Sequence, residues 1–326
     1  MTVLKFARLG YAIAQQLARV KADENVLILG DTGSNRDMMD AIATASIGIG
    51  AETQLLVYPQ RATINIEPPA AISEAMKATD VLIDLSVQYI IHTSAYAKAR
   101  EAGTRCLVSS ASGIEDYIIR GVTEIDYPEM VREGDAIGKL FEKSQKCRVS
   151  SEEGTDIEMS LGSRPAIHRD GMVVGKGEID YFPGSQISIA PLEESINGKL
   201  VVNGSIFPPI GKLDRPAEIT MKDGKIIDVK GGTGAAEWYK YLKEFDDPKM
   251  HYVAHFSLGL NPNASLSGNI FEDERVRSCV VFGFGSQMPD FKGNLGKAKT
   301  HTDTVTLNTT VFLDDTKVAE NGNILV

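Results

Sequence analysis

Cysteine is scarce in this chain: Cys106, Cys147 and Cys279 are the only three in 326 residues. They are too few and too scattered for a disulfide framework or a CxxC metal site. A reducing, cytoplasmic setting is therefore expected. No apolar run approaches membrane-spanning length. The opening twenty residues are interrupted by Lys5, Arg8 and Arg19 and so lack the apolar core of an export signal. Leu4, Ala7, Ala12 and Leu17 in this segment suggest an amphipathic helix packed on a sheet. Positive charge is not in excess either, and the net charge of −10 argues against a nucleic-acid or anionic-membrane surface. The turn Gly30-Asp-Thr-Gly-Ser-Asn35 lacks both the GxGxxG spacing and the lysine of a P-loop. It reads as a turn with a helix cap rather than a nucleotide site. Internal repeats, low-complexity tracts and flexible linkers are absent.

What is present fits an ordinary globular protein, with 43% hydrophobic and 24% charged residues. The length exceeds a typical single core, so two domains are expected. Over residues 1–145, short apolar runs (Val26–Gly30, Thr53–Tyr58, Val81–Leu85, Arg105–Val108) alternate with helical stretches near 36–47, 70–78, 89–102 and 127–145. This pattern implies an α/β domain with a mostly parallel sheet. Over residues 146–326 the turn signals His168-Arg-Asp-Gly171, Asn197-Gly198, Asn203-Gly204, Lys222-Asp-Gly224 and Asn321-Gly322 separate short strands. They imply an antiparallel, β-rich α+β domain with one helix near Ala235–Leu242.

Histidine is also scarce, with five in the chain. Two of them define the candidate site. His301 and Asp303 open a segment in which Val305, Leu307, Val311 and Leu313 share their parity, whereas Thr302, Thr304, Thr306, Asn308 and Thr310 take the other. Period two makes one face apolar and one polar, and puts His301 and Asp303 on the buried face. A buried carboxylate beside an imidazole calls for a partner or a metal. With His255, the set matches the two-histidine, one-carboxylate arrangement that leaves one face of a metal open. A metal-free buried His–Asp hydrogen bond satisfies the same pattern.

The remaining polar residues admit two readings each. His251 shares a face with His255 if the segment is a strand, as an outer donor or alternative ligand, or else is a partly exposed structural residue. His92 follows Asp84-Leu-Ser86 at the carboxyl end of a strand, where α/β domains meet ligands. There it either moves a proton or bonds the local backbone. His168, in a turn, is expected to face solvent. Glu193 or Glu194 could line the cleft. The glycine-rich runs Phe282–Gln287 and Gly293–Gly296 either shape a pocket or connect strands.

The segments Gly154-Thr-Asp156, Phe182-Pro-Gly184, Ala190–Gly198, Pro208-Pro-Ile-Gly211, Gly259-Leu-Asn-Pro262, Gly268-Asn269 and His301-Thr-Asp303 span most of residues 150–326. In order and spacing they resemble a metallopeptidase-like family containing aminopeptidase T enzymes and 2,5-dihydroxypyridine 5,6-dioxygenases. The resemblance implies two metals with acidic ligands in the peptidase branch. Here Gln186 and His255 stand at those acidic positions, and neutral ligands disfavour a two-metal centre. The dioxygenase branch is therefore the nearer one. It implies one iron(II) per chain held by His255, His301 and Asp303, with His92 handling a substrate proton and Gln186 contacting substrate. The expected partners are a small aromatic substrate and dioxygen, and the expected assembly is a homo-oligomer. A metal-dependent aminopeptidase or amidohydrolase is the competing reading.

Overall fold

The structure is a computed structural model that describes residues 3–110 and 113–326. Two compact units divide the chain: Met1–Ile125 with Arg169–Gly184, and Asp126–His168 with Ser185–Val326.

The first unit is built on a five-stranded sheet in the order Glu52–Tyr58, Asn25–Asp31, Val81–Asp84, Arg105–Val108, Ile179–Tyr181. Every pairing is parallel. The inner strands are buried along their length, as sheets covered on both faces require. Helices fall at Arg36–Ile49, Ala70–Lys77, Ser94–Ala102 and Glu115–Thr123. The last of these was not foreseen from the alternation.

The Gly30–Asn35 turn caps the first of these helices, since the Asn35 side chain accepts from the Met38 amide. Asp31 folds back to accept from Gly33 N, Ser34 Oγ and Gln88 N. The turn's donors thus serve an internal carboxylate, which disfavours a bound anion there.

The opening segment is helical but irregular, with a 3₁₀ turn at Val3–Phe6, an α-helix at Ala7–Ala12 and a π turn at Ile13–Leu17. Of the expected stripe, Ala12 and Leu17 are buried, whereas Leu4 is 74% exposed and Ala7 is also exposed; Phe6, Leu9 and Ile13 take their place. The expected sheet partner is corrected too. Gly10 lies so close to the helix Arg36–Ile49 that an added Cβ would sit 2.5 Å from Ala41 O.

The second unit holds an eight-stranded and a seven-stranded sheet. The longer sheet is antiparallel throughout. In the other, the central order is Ser205–Phe207, His301–Thr306, Val280–Gly285, Val253–Gly259, Gln186–Ile189, again antiparallel. The helix Tyr127–Lys143, which the alternation groups with the first half, packs in this unit. Phe141 meets Phe256 edge-on at 5.9 Å, and Gly138 faces Ile187. Asp126 caps that helix by accepting from Glu129 N. The Ala235–Leu242 helix extends over Thr233–Glu244.

The turn signals separate by conformation. Asp223-Gly224 and Asn321-Gly322 form two-residue hairpins, with positive φ at both residues of each pair. Asn197-Gly198 instead lies inside a strand, where Gly198 leaves room for the neighbouring backbone. Asn203-Gly204 links strands of different sheets. Asn203 exchanges hydrogen bonds with the Leu307 backbone, which also leaves one sheet for the other. His168–Gly171 lies where the chain passes from the second unit to the first.

Candidate metal centre

His301 and Asp303 sit two apart on one strand and so share a face. His255 lies on the strand Val253–Gly259, one strand removed. The intervening strand Val280–Gly285 puts Gly283 directly opposite both His255 and Asp303. Strands two apart are about 9.6 Å from each other, too far for short side chains to meet across an occupied middle position. Gly283 removes that obstacle. An added Cβ there would lie 2.3 Å from His255 Nε2 and within 2.8 Å of two ring carbons. The glycine-rich run Phe282–Gln287 is thus mostly a strand, and its glycine admits the imidazole.

The three donor atoms form a near-equilateral triangle. His255 Nε2 lies 3.2 Å from His301 Nε2, and Asp303 Oδ1 lies 3.1 Å from each nitrogen. The three atoms are close enough together to hold a single ion.

Outer partners fix which ring nitrogens face inward. His301 Nδ1 is 2.8 Å from Ser286 O, a carbonyl that can only accept, so Nδ1 carries a proton. His255 Nδ1 is 2.9 Å from Ser257 Oγ, which donates onward to Ser188 Oγ at 2.7 Å. Ser257 therefore accepts from His255 Nδ1. With both imidazoles neutral, two nitrogen lone pairs and a carboxylate oxygen converge without a proton among them. Such a set repels itself unless a cation or a proton enters. Phe291 stacks on His255 at 5.6 Å and 16°, covering one ring face.

Titration behaviour agrees. Burial opposes a charge on His301, but Asp303 and the Ser286 carbonyl outweigh it and raise its pKa. Burial likewise opposes ionisation of Asp303, yet the two histidines hold its carboxyl far below the usual range. The centre draws one positive charge, and the donor chemistry fits a divalent ion that displaces the proton. Among the described residues, this is the one group of three or more histidine, cysteine or acidic side chains placed to hold a metal.

Several expectations are corrected. Thr302, Thr304 and Thr306 are fully buried, whereas the side chains of His301 and Asp303 are 28% and 13% exposed. Two of these hydroxyls are paired: Trp238 Nε1 donates to Thr302 Oγ, which donates to Pro208 O, and Thr304 Oγ donates to Phe282 O, while the buried Thr306 Oγ has no partner among the described residues. Parity also fails beyond Thr306, since Asn308 has a positive φ and Thr310–Leu313 joins the other sheet. His251 is partly exposed and structural, as the second of its readings has it, but it closes a 3₁₀ turn instead of sitting in the His255 strand and packs edge-on against Tyr239 at 6.0 Å. Burial, with Lys225 and Lys243, lowers its pKa. His168 does not face solvent: its ring bonds Asp135 at 2.9 Å and the buried Ser185 hydroxyl at 2.6 Å.

Gln186 is buried on the strand Gln186–Ile189, opposite Gly259, and its Nε2 donates to Glu274 Oε2 at 2.9 Å. Register puts it on the face of Ser257 and Ser188, four positions along from His255. His92 belongs to the first unit. It is exposed just beyond the Val81–Asp84 strand, with its backbone N–H bonded to Asn65 Oδ1. Sequence reasoning missed Ser257, Ser188, Ser286, Glu274 and Phe291, and only the glycine run hinted at Gly283.

Gly283→Ala is expected to keep most of the fold while lowering divalent-metal retention at least about tenfold, because His255 must swing out of the triangle. Metal analysis after dialysis, beside circular dichroism, measures both. Retention equal to that of the unaltered protein would rule out the three-strand geometry. Gln186→Glu sets a second carboxylate against Glu274. A loss of roughly 1–3 kcal/mol at neutral pH is expected, recovered on adding divalent cation or on acidification. Urea melts with and without magnesium or manganese read this out, and unchanged stability would show that the Gln186–Glu274 bond carries no weight.

The model of the family described as NicX, 2,5-dihydroxypyridine 5,6-dioxygenase, matches residues 11–326. A curated relative, the 2,5-dihydroxypyridine 5,6-dioxygenase of Pseudomonas putida KT2440, is 25% identical over 264 residues, covering 78% of this chain and 73% of that protein. The solved structure of 2,5-dihydroxypyridine dioxygenase from Pseudomonas putida KT2440 matches with a TM-score of 0.82 at 21% identity, over 98% of this chain and 96% of that one. Wild-type AmpT from Thermus thermophilus matches at 0.72 and 13% identity, over 99% of this chain and 100% of that one. These two structures establish the shared fold. With nearly the whole chain covered by one family, the protein belongs to the 2,5-dihydroxypyridine 5,6-dioxygenase family.

Proposed function

We propose that the chain is an iron(II)-dependent dioxygenase that opens the ring of 2,5-dihydroxypyridine or a closely similar hydroxylated ring. The observation that carries the proposal is the triangle of His255, His301 and Asp303 donor atoms with edges of 3.1–3.2 Å. These residues would hold one iron(II) per chain. When bound, iron(II) supplies an open coordination face and one-electron chemistry between dioxygen and an electron-rich ring. Both atoms of dioxygen would end on the two ring carbons whose bond is cut.

The chain's own part is to position and to exclude water. Phe291, stacked on His255, keeps water from one face of that imidazole, which strengthens the charges beside it. Gln186, with its nitrogen engaged by Glu274, would offer substrate its carbonyl oxygen and remaining amide hydrogen. His92, exposed at the carboxyl end of its strand, would take the proton of a ring hydroxyl.

Anaerobically prepared protein is expected to hold about one iron per chain and to take up dioxygen with a dihydroxylated pyridine, leaving aminoacyl anilides untouched. His92→Ala should lower kcat about 10²-fold with iron content unchanged. Metal-dependent hydrolysis without oxygen uptake would shift the assignment to the peptidase branch. Normal turnover in His92→Ala would remove that residue from the reaction.

The proposal includes a homo-oligomer in the cytoplasm. Its motivations are the open edge strand Glu52–Tyr58, where Val57 is 43% exposed, and three cysteines that are all free and buried. Among the described residues no helix is long and apolar enough to cross a membrane. Light scattering should give a mass of at least two chains; a monomer at micromolar concentration would refute the assembly.

A further inference from the structure

The segment from Ser286 to Thr300 leaves the central sheet between two of its strands and returns to it. Its base is sewn together by backbone bonds, Ser286 N to Thr300 O at 2.8 Å and Gln287 N to Gly296 O at 2.8 Å. Inside the loop, Gln287 Nε2 donates to Ala254 O, beside His255, and Gln287 Oε1 accepts from Leu295 N. Two features of this loop reach the metal centre: Ser286 O orients His301, and Phe291 lies flat on His255.

The far part of the loop is tied to a buried ion pair outside it. Glu193 Oε1 accepts from the Asn294 backbone N–H at 2.6 Å. The same carboxylate is gripped by Arg164 through two parallel bonds of 2.9 and 2.7 Å. Arg164 is 7% exposed and also donates to Pro191 O at 2.7 Å, so the guanidinium is fixed from two sides. A buried, bidentate pair of this kind has a defined geometry, unlike a surface ion pair. Burial works against the Glu193 charge, but Arg164 and the Asn294 N–H outweigh it and keep the carboxylate ionised.

We propose that Glu193, clamped by Arg164, is a positioning residue for the metal centre: by holding Asn294 it keeps Phe291 seated on His255. The carboxylate touches neither the donor triangle nor the site of reaction. It acts through the loop backbone from Asn294 back to Phe291, with Lys292 and Gly293 between them. Releasing it frees Phe291 to lift, admits water to the exposed face of His255 and loosens the imidazole's hold. This inference rests on the metal-centre reading above for its effect on the metal, and on the loop geometry alone for its effect on the loop.

The test compares Glu193→Ala with Glu193→Gln, which keeps an oxygen for Asn294 but loses the charge. Amide exchange is followed in iron-loaded protein and in metal-free protein, and iron release is timed against a chelator under anaerobic conditions. Glu193→Ala should speed exchange about tenfold or more within residues 287–296 while the eight-stranded sheet stays protected. Iron release should quicken several-fold and kcat should fall more than KM rises, with Glu193→Gln lying between the two proteins throughout. Unchanged exchange in the loop overturns the proposal. So does faster exchange across the whole second unit, which marks a general packing role, and so does a loosened loop with iron release unaltered. A wild-type protein that takes no iron would sink the metal-centre reading instead, and the exchange comparison on metal-free protein would still decide whether Glu193 holds the loop.

Discussion

A glycine in the middle strand makes this centre possible. His255 and Asp303 occupy facing positions on strands that do not touch, and the position between them is Gly283. Any side chain there would fill the space now taken by the imidazole. The constraint is local and steric, yet it determines the electrostatics. Only with the ring lying over Gly283 can its inner nitrogen approach both Asp303 and His301. Once it does, Ser257 and Ser286 fix the outer nitrogens, and the three inner atoms present lone pairs to one point. The convergence of the three donor atoms thus depends on a single missing Cβ.

The sequence carried much of this, and its failures have physical causes. The parallel sheet was legible because buried strands such as Val26–Gly30 and Val81–Leu85 are continuous apolar runs. The i, i+2 spacing of His301 and Asp303 guaranteed a shared face once the strand was right. The direction of burial was not legible, because threonine looks polar in a sequence. Thr302 and Thr304 bury their hydroxyls by bonding Pro208 O, Phe282 O and the Trp238 indole, which no periodicity reveals. His251 misled for a different reason: four residues separate it from His255, but Pro248 starts a 3₁₀ turn that takes it out of the strand. The partners of the histidines were invisible because serine is common and its role here depends on long-range register, Ser257 against Ser188.

Chain crossing between the two units was equally hidden. The helix Tyr127–Lys143 continues the alternation of the first half, so pattern alone groups it there. Its packing is set by the two faces it must bury: Phe141 and Gly138 meet Phe256 and Ile187 of the antiparallel sheet. The strand Ile179–Tyr181 does the reverse. It follows a segment of the second unit and adds a fifth parallel strand to the first. Alternation reports local structure, whereas unit membership is decided by which faces fit.

Charge balance sets what this centre can attract. Two neutral imidazoles and one carboxylate carry a single negative charge, so they leave half the charge of a divalent ion uncompensated. That residual charge favours an anionic ligand. Extra carboxylates would cancel the charge and invite a second cation. The Gln186 amide donates to the Glu274 carboxylate. The Glu274 charge still contributes to raising the His301 pKa. Restrained by Gln186 and Arg275, it acts on the centre as a fixed field and not as a ligand. The neutral amide of Gln186 therefore holds a neighbouring acid in place without adding a charge of its own.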